Sequence, residues 1–233
     1  MPVHRTGHGA AGNRLLDALP PSIRSRLLED ASIESYHHLE QLYGPSSAVE
    51  YCYFPITCVC SLVADLATGQ RAEVAIVGNG GFVGIPAVLD ATARELALIQ
   101  VPGECCVVKA SRVRALMERD AALRAAMLRY VGYAYDMVKQ TALCNAYHTV
   151  EQRVARWLLT MADRAGTDQL PMTQEVLAGM VSATRPRTAE AAGRLRGAGM
   201  LATRRGAVEI RDRARLERRA CECYGAMRVA EAA

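Results

Sequence analysis

Four charged side chains lie within one ten-residue segment near the C-terminal end of the chain: Arg185, Arg187, Glu190 and Arg194. Arginine can donate two hydrogen bonds to guanine in the DNA major groove, and glutamate can accept one from cytosine N4. Each well-formed pair of this kind contributes about 1 to 3 kcal/mol of discrimination between bases. If a helix presents these residues on one face, their chemistry is that of reading base edges.

The surrounding residues predict two helices joined by a tight turn. Thr173 can cap the first helix, and Val176, Leu177, Met180 and Val181 share one face of it at helical spacing. A break follows at residues 182–184, and Pro186 suits the first turn of a new helix, so the second helix begins near Arg185. Glycines at 197 and 199 mark its end.

Two short strands are predicted after the second helix, over residues 201–203 and 207–210, around the turn Arg204-Arg205-Gly206. Helix, turn, helix and basic hairpin together are typical of a winged helix-turn-helix. The sequence therefore predicts a DNA-binding surface made of Thr173, Gln174, Thr184, Arg185, Pro186, Arg187, Glu190, Arg194, Arg204 and Arg205.

Charge is concentrated in the same segment. Between Pro171 and Ala220 there are eleven arginines, no lysine and five acids, a balance of +6, whereas the whole chain carries +4. A basic block confined to one segment is the pattern expected of phosphate binding. The alternative is a small helical domain whose arginines only form a solvated face.

Length and composition indicate a globular protein of two domains, with 233 residues, 51% hydrophobic content and 22% charged residues. We expect a cytoplasmic protein without a membrane partner, because the N-terminal residues lack the pattern of a secretory signal. The eight cysteines are then expected to be reduced thiols: Cys52, Cys58, Cys60, Cys105, Cys106, Cys144, Cys221 and Cys223.

Short helices are predicted over residues 13–19 and 22–28. Strands then follow over 49–53, 59–66, 72–77, 96–101 and 105–109, separated by turn signals that include Pro102-Gly103. This density of strands and turns predicts a small antiparallel barrel or sandwich.

A long helix is predicted from Asp120 to about Tyr147. Its heptad seam contains Leu123, Met127, Tyr130, Ala134, Met137, Thr141 and Cys144 and ends at His148, and a second apolar stripe contains Leu128, Val131, Tyr135 and Val138. We expect a parallel homodimer through the seam, since two recognition helices fit a palindromic site. The alternative is one helix buried in its own chain. Thr149 and Gln152 form a capping-box pair that starts another helix, so the break at 148–149 is a candidate hinge.

This order of parts resembles the Crp/Fnr family of bacterial transcription regulators, from about Asn13 to Tyr224. The resemblance is carried most strongly by LTMADRAGTDQLPMTQEVLAGMVSATRPRTAEAAGRLRGAGML and DRARLERRACECY, and more loosely by FPITCVCSLV and EVAIVGNGGFVGIP. It implies an α+β chain in three parts: a cyclic-nucleotide-binding-like antiparallel β-barrel (jelly roll) over 1–118, a dimerisation helix over 119–148, and a winged helix-turn-helix over 149–233.

The resemblance also implies functional properties. Arg185, Pro186 and Glu190 fall at base-reading positions, although some members carry a glutamate where this chain has Pro186. Double-stranded DNA, a second copy of the chain and RNA polymerase are the implied macromolecular partners, together with an unknown small-molecule effector. Enzyme activity is not expected, because no catalytic motif is present.

The effector cassette of the family corresponds to GNGGFVGIPAVLDATARELAL in this chain. Its candidate residues are Gly80, Gly81, Phe82, Val83, Gly84, Thr92 and Arg94. Phe82 stands where nucleotide-binding members have a glutamate, and no Arg-Ser pair follows. Because phenylalanine cannot accept a hydrogen bond from ribose, cyclic AMP is disfavoured and no cofactor is predicted; the glycines are interpreted as the scaffold of a tight turn.

The cysteines and histidines leave rival interpretations open. Free cysteine usually packs in the core, and His148 is interpreted as a hinge residue, so no metal site is predicted. A thiol switch, an enzyme built around Cys105 or Cys144, and a sensor or adaptor that does not bind DNA are the alternatives.

Overall fold

The computed structural model describes residues 5–6, 12–204 and 206–232 of the chain, with side chains described from 12 to 228 apart from 205. The chain divides into two compact units, one formed by Met1–Leu62 with Ile76–Ala134 and the other by Val63–Ala75 with Tyr135–Ala233. The domain limits at 118 and 148 stay a prediction.

The first unit holds a β-rich fold whose strands form two four-stranded sheets, in the orders β1-β2-β8-β4 and β3-β7-β5-β6. The strands are β1 (Arg5–Thr6), β2 (Ser32–Tyr36), β3 (Gln41–Tyr43), β4 (Tyr51–Pro55), β5 (Val59–Asp65), β6 (Arg71–Val77), β7 (Leu96–Val101) and β8 (Gly103–Lys109). The end of β5, the turn after it and most of β6, Val63–Ala75, are grouped with the second unit. The four short helices of this half are α1 (Arg14–Asp17), α2 (Pro21–Leu27), α3 (Ile85–Val88) and α4 (Ala110–Arg119).

Both sheets contribute to one apolar core, as expected of a small barrel. Phe54 from β4, Cys60 from β5, Ile99 from β7 and Cys105 from β8 are all buried in it. The predicted α+β architecture with an antiparallel barrel is confirmed. The predicted start of β4 at residue 49 is wrong: the strand begins at Tyr51 and continues through Phe54-Pro55, because its partner β8 extends the ladder to that point.

The long helix α5 (Ala121–Tyr147) has the predicted length and contributes residues to both units. The burial of its heptad seam contradicts the predicted dimer interface. Leu123, Met127, Tyr130, Met137 and Cys144 are at most 7% exposed within their own chain, so they cannot meet a second copy. The stripe that remains exposed is the other one, with Leu128, Tyr135 and Val138 at 48%, 65% and 39%. Ala134 and Thr141, the other predicted seam residues, are partly buried.

The second unit is helical, with a small sheet in the order β10-β11-β9. Its elements are α6 (Val150–Ala165), β9 (Gln169–Pro171), α7 (Gln174–Met180), α8 (Arg185–Gly197), β10 (Leu201–Arg204), β11 (Ala207–Ile210), α9 (Arg213–Arg219) and α10 (Cys223–Ala232). The predicted break after α5 and the capping box of Thr149 and Gln152 at the start of α6 are both confirmed.

The core of the second unit is centred on α6, which is buried over most of its length. Trp157 is fully buried, and its Nε1–H donates to Glu73 Oε1 at 2.6 Å. Glu73 is itself 4% exposed and lies in the β5–β6 hairpin that is grouped with this unit. A buried carboxylate needs such donors because its desolvation is otherwise costly. Within the described residues, no helix is both long enough and apolar enough to cross a membrane.

Candidate nucleic-acid interface

The first helix of the motif, α7, is fixed by its cap and its apolar face. Thr173 Oγ1 accepts a hydrogen bond from the Val176 amide at 3.2 Å, which satisfies one of the free N–H groups of the first turn. The helix buries Leu177, Ala178 and Met180 on its inner face. Thr173 and Gln174 remain exposed at its start, as predicted.

The turn between α7 and α8 takes an unusual backbone conformation at Ser182, with φ at +51°. This left-handed region is costly for residues with a side chain, and polar contacts hold Ser182 in it. Asn145 Nδ2 donates to Ser182 Oγ at 3.1 Å, and Arg153 Nη1 donates to the Ser182 carbonyl at 3.3 Å. The turn is thus fixed by side chains from the end of α5 and from α6.

The second helix, α8, has one buried and one exposed face. Thr188, Ala191 and Leu195 are fully buried and fix the rotation of the helix about its axis. The predicted reading residues all lie on the exposed face or at the helix start: Thr184, Arg185, Pro186, Arg187, Glu190 and Arg194. The helix therefore presents the side chains that the sequence assigned to base contacts.

The exposed charged side chains differ in the ion pairs that they make within the chain. Arg187 makes no ion pair with any described residue, and Arg185 has only a long contact of 3.7 Å to Glu175. Arg194, in contrast, is held by Glu151 at 2.7 Å and by Glu190 at 2.6 Å. The hydrogen bond that Arg194 donates to Glu151 raises the pKa of Arg194. Arg194 is thus exposed as predicted, but it serves to hold Glu190 and α6.

The wing is a β-hairpin completed by a third strand. Leu201 to Arg204 pairs antiparallel with Ala207 to Ile210, and β9 joins the other edge of β11. Arg204 is exposed and lies 3.7 Å from Glu209, and Arg205 lies outside the described residues. The sequence prediction missed Arg196, which is exposed on α8 and donates to Thr203 Oγ1 of the wing at 3.2 Å.

Part of the basic block has a structural role away from this surface. Arg213 binds Asp163 and donates to Asp168 Oδ1 at 3.0 Å and to Tyr224 Oη at 3.2 Å. This network joins α9, α6 and the C-terminal helix. The arginines available to phosphate are therefore fewer than the sequence count suggests.

The glycine turn of the predicted effector cassette is filled by protein side chains. Phe82 is 1% exposed and packs against Phe54 and Tyr130, with ring centroids 5.5 and 4.9 Å apart. A Cβ at Gly81 would lie 2.2 Å from the Tyr130 ring. Gly84 has φ of +114° and lies against the Tyr51 carbonyl, and Val83 is 1% exposed. These residues act as scaffold.

The remaining cassette residues do not gather around that turn. Thr92 lines an open cleft of about 600 Å³, together with Lys109, Ser111 and Arg114. Gly80 to Gly84 do not line this cleft. Arg94 follows Thr92 by two residues and is exposed, but it does not line the cleft either. The seven predicted effector residues thus do not form one site.

The cysteines also differ from their predicted role as simple packing residues. All eight are buried, as expected, but Cys144, Cys221 and Cys223 lie together with His148. The sequence offered no signal for this convergence, because 77 residues separate Cys144 from Cys221.

The motif geometry agrees with a comparison against protein families. Residues 152–219 match the family model of a Crp-like helix-turn-helix domain. The chain is a DNA-binding transcription regulator whose reading domain is a Crp-like helix-turn-helix. None of the curated proteins compared with this regulator matches it in sequence.

Solved structures extend the likeness of the regulator to its whole fold. FixK2 from Bradyrhizobium japonicum has a TM-score of 0.69 at 21% identity, over 82% of this chain and 98% of the other. A Crp/Fnr-family regulator from Eubacterium rectale has a TM-score of 0.71 at 14% identity, over 88% and 96%. The c-di-GMP-responsive global regulator CLP from Xanthomonas campestris has a TM-score of 0.68 at 18% identity, over 83% and 100%.

Proposed function

We propose that the regulator acts in the cytoplasm as a homodimer and inserts the start of α8 from each copy into the major groove of a two-fold symmetric DNA site. One observation carries the proposal: Arg185 and Arg187 project from the first turn of α8 while Thr188 and Leu195 fix the opposite face. Recognition helices of this motif read bases with their N-terminal residues. A sensor or adaptor without DNA binding is not favoured.

The ion pairs of the free protein suggest different roles for the reading residues. Arg187 is free to bind a guanine, and Arg185 gives up only a weak contact to Glu175. Arg194 would have to break two short ion pairs to reach DNA, so it positions Glu190 for a base contact. Arg204 meets phosphate from the wing.

The test is fluorescence anisotropy with a palindromic duplex from the promoter region of the regulator's own gene. Arg185→Ala and Arg187→Ala should each weaken specific binding by about 1 to 3 kcal/mol and relax the preference for one base pair. Arg24→Ala, a change of equal charge in the first unit, is the matched control. The proposal fails if both variants bind every duplex as tightly as the parent over a range of salt concentrations.

The exposed stripe of α5 supports the homodimer. Leu128, Tyr135 and Val138 form an apolar row on a helix whose opposite side is buried in its own chain. A second copy of α5 related by a two-fold axis can cover this row with the same row. Such an axis also supplies the two recognition helices that a palindromic site requires.

The barrel is proposed to transmit a signal by binding and not by catalysis. The signal is not cyclic AMP at the glycine turn, because Phe82 and Tyr130 occupy that space. Isothermal titration with cyclic AMP should give no saturable heat in a sample that still binds its operator duplex. Saturable binding at micromolar concentration would contradict this. The Crp/Fnr type supports RNA polymerase as a further partner and an unidentified effector.

A further inference from the structure

Four side chains with metal-binding atoms meet where the end of α5 lies beside the segment between α9 and α10. Cys144 lies in the last turn of α5, and His148 lies in the break that follows it. Cys221 and Cys223 lie where α9 passes into α10. One donor atom from each residue lies within 4.8 Å of all the others. All four residues belong to the second unit.

The spacing of the donors is that of ligands around one tetrahedral ion. Zinc binds thiolate at about 2.3 Å and imidazole at about 2.0 to 2.1 Å, so tetrahedral angles place two sulfurs about 3.8 Å apart and a sulfur and a nitrogen about 3.6 Å apart. Cys144 Sγ and Cys221 Sγ are 3.5 Å apart, and Cys223 Sγ and His148 Nδ1 are 3.6 Å apart. A disulfide would require about 2.05 Å between the sulfurs.

The histidine is oriented as a metal ligand by its second nitrogen. His148 Nδ1 faces the cysteines, while Nε2 lies 3.1 Å from Glu222 Oε1. A carboxylate that accepts from the other ring nitrogen fixes the tautomer and makes the ligating nitrogen more basic. Gln140 Nε2 also donates to Cys223 Sγ at 3.0 Å. The Gln140 amide thus contributes a hydrogen bond to one of the candidate sulfur ligands.

Two buried arginines supply the counter-charge that such a centre needs. Arg153 and Arg156 are 8% and 3% exposed. Arg153 interacts electrostatically with Cys144 and Cys221, and Arg156 interacts with Cys144. Among the described residues, neither Nε atom has a hydrogen-bond partner. Buried cations without full pairing are costly unless negative charge lies close, and one zinc ion with three thiolates and an imidazole has a net charge of −1.

We propose that Cys144, His148, Cys221 and Cys223 bind one Zn²⁺ ion as a structural site. Three thiolates and one imidazole are a known donor set for closed, four-coordinate zinc sites. Soft sulfur ligands and tetrahedral spacing favour zinc over Mg²⁺ or Ca²⁺, which prefer oxygen. The donor atoms lie too close together to surround more than a single ion.

The ion would join the end of α5 to the C-terminal helix α10. The same stretch of α5 supplies Asn145, which holds the turn of the reading motif through Ser182. Zinc would therefore stabilise the end of α5 and, through Asn145, the turn that precedes α8. A ligand that binds only the folded state raises the free energy of unfolding, so the melting temperature should rise with zinc and fall on chelation.

The first experiment measures zinc binding by the full-length, reduced and metal-free protein. Competition with a chromophoric chelator should give one Zn²⁺ per chain, and Co²⁺ should give the intense visible bands of a tetrahedral thiolate complex. X-ray absorption of the zinc form should show three sulfurs and one nitrogen. Cys221→Ala and Cys223→Ala should abolish stoichiometric binding, while Cys52→Ala, a buried cysteine in the barrel, should retain it.

A second variant keeps the test valid if those cysteine variants fail to fold. Glu222 is 81% exposed in its side chain, so Glu222→Gln should leave the fold intact and weaken zinc binding by about 10- to 100-fold. Glu118→Gln, an exposed carboxylate on α4, is the matched control. The proposal is overturned if the reduced parent binds no zinc or if Cys221→Ala still binds one equivalent. It is also overturned if the cysteines of the cluster form a disulfide on oxidation but bind no metal when reduced.

Discussion

At the scale of single residues, the glycine turn of the barrel depends on a close contact between backbone and ring. Gly81 lies beneath Tyr130, whose ring is confined by Phe82 at 4.9 Å and Tyr133 at 5.8 Å between centroids. A side chain at position 81 would overlap this ring, against which Phe82 and Tyr133 pack. Glycine is needed here for room, whereas Gly84 is needed for its positive φ.

We predict that Gly81→Ala destabilises the barrel by about 1 to 3 kcal/mol, the usual cost of overpacking a core. Urea denaturation followed by far-ultraviolet circular dichroism measures the change. Gly197→Ala is the matched control, since a Cβ at the end of α8 meets no atom within 4 Å and alanine favours a helix by up to about 1 kcal/mol. Equal stability of the two variants would contradict the steric argument.

The sequence predicted which residues would be exposed on α8 but not what they would contact. Helical spacing places Arg187 and Arg194 on the outer face, and both are exposed. Only the structure shows that Glu151, from another helix, binds Arg194. The cysteine cluster was missed for the same reason, since contacts between distant segments leave no periodicity in the sequence.

At the scale of elements, the start of α6 depends on the capping box. Thr149 Oγ1 accepts from the Gln152 amide at 3.3 Å, and Gln152 Oε1 accepts from the Thr149 amide at 3.0 Å. These bonds satisfy N–H groups that would otherwise lack partners at the helix start. They also separate α6 from α5, so the cap keeps the two helices from merging into one.

We predict that Thr149→Ala lowers the free energy of unfolding of the second unit by about 1 kcal/mol. Trp157 is the only tryptophan in the chain and is fully buried in this unit, so its fluorescence during chemical denaturation reports the change. Thr68→Ala, on the exposed β5–β6 turn, should change stability by less than about 0.5 kcal/mol. If the two threonine variants unfold alike, the cap contributes nothing measurable.

The short strands show where sequence patterns fail at this scale. The prediction gave no bounds for β3, which has three residues, and missed β9, which has three residues and ends in Pro171. Neither run is long enough to show alternation, and each depends on pairing with a strand that is distant in sequence. The longer β7 was predicted at its observed bounds because its six residues, five of them apolar, are bordered by turns.

At the scale of the whole molecule, the feature that bears on the proposed homodimer is the long helix α5. Two apolar stripes run along the helix, and periodicity cannot decide which one faces its own chain. Burial decides it: Leu123 and Met127 are inside, whereas Leu128 and Tyr135 are outside. Periodicity therefore predicted the helix but not which of its stripes its own chain buries, and the homodimer itself stays a prediction.

We predict that the double variant Leu128→Glu, Val138→Glu is monomeric and loses most of its affinity for a palindromic duplex. Charges facing each other across the two-fold axis would repel and remain desolvated. Sedimentation equilibrium measures the mass, and anisotropy measures binding. Leu89→Glu, at a residue of similar exposure (51%), should stay dimeric. A dimeric double variant would place the interface elsewhere.

The meeting of Cys144 and Cys221 has a consequence for chain topology. The segment between them holds the complete helix-turn-helix and wing, and the two sulfurs that bound it are 3.5 Å apart. A domain whose entry and exit points lie side by side can be inserted into a loop of another protein, or given new termini by circular permutation, without stretching its backbone. The chain therefore enters and leaves the reading segment at neighbouring points, while the hairpin that carries Glu73 completes the same compact unit.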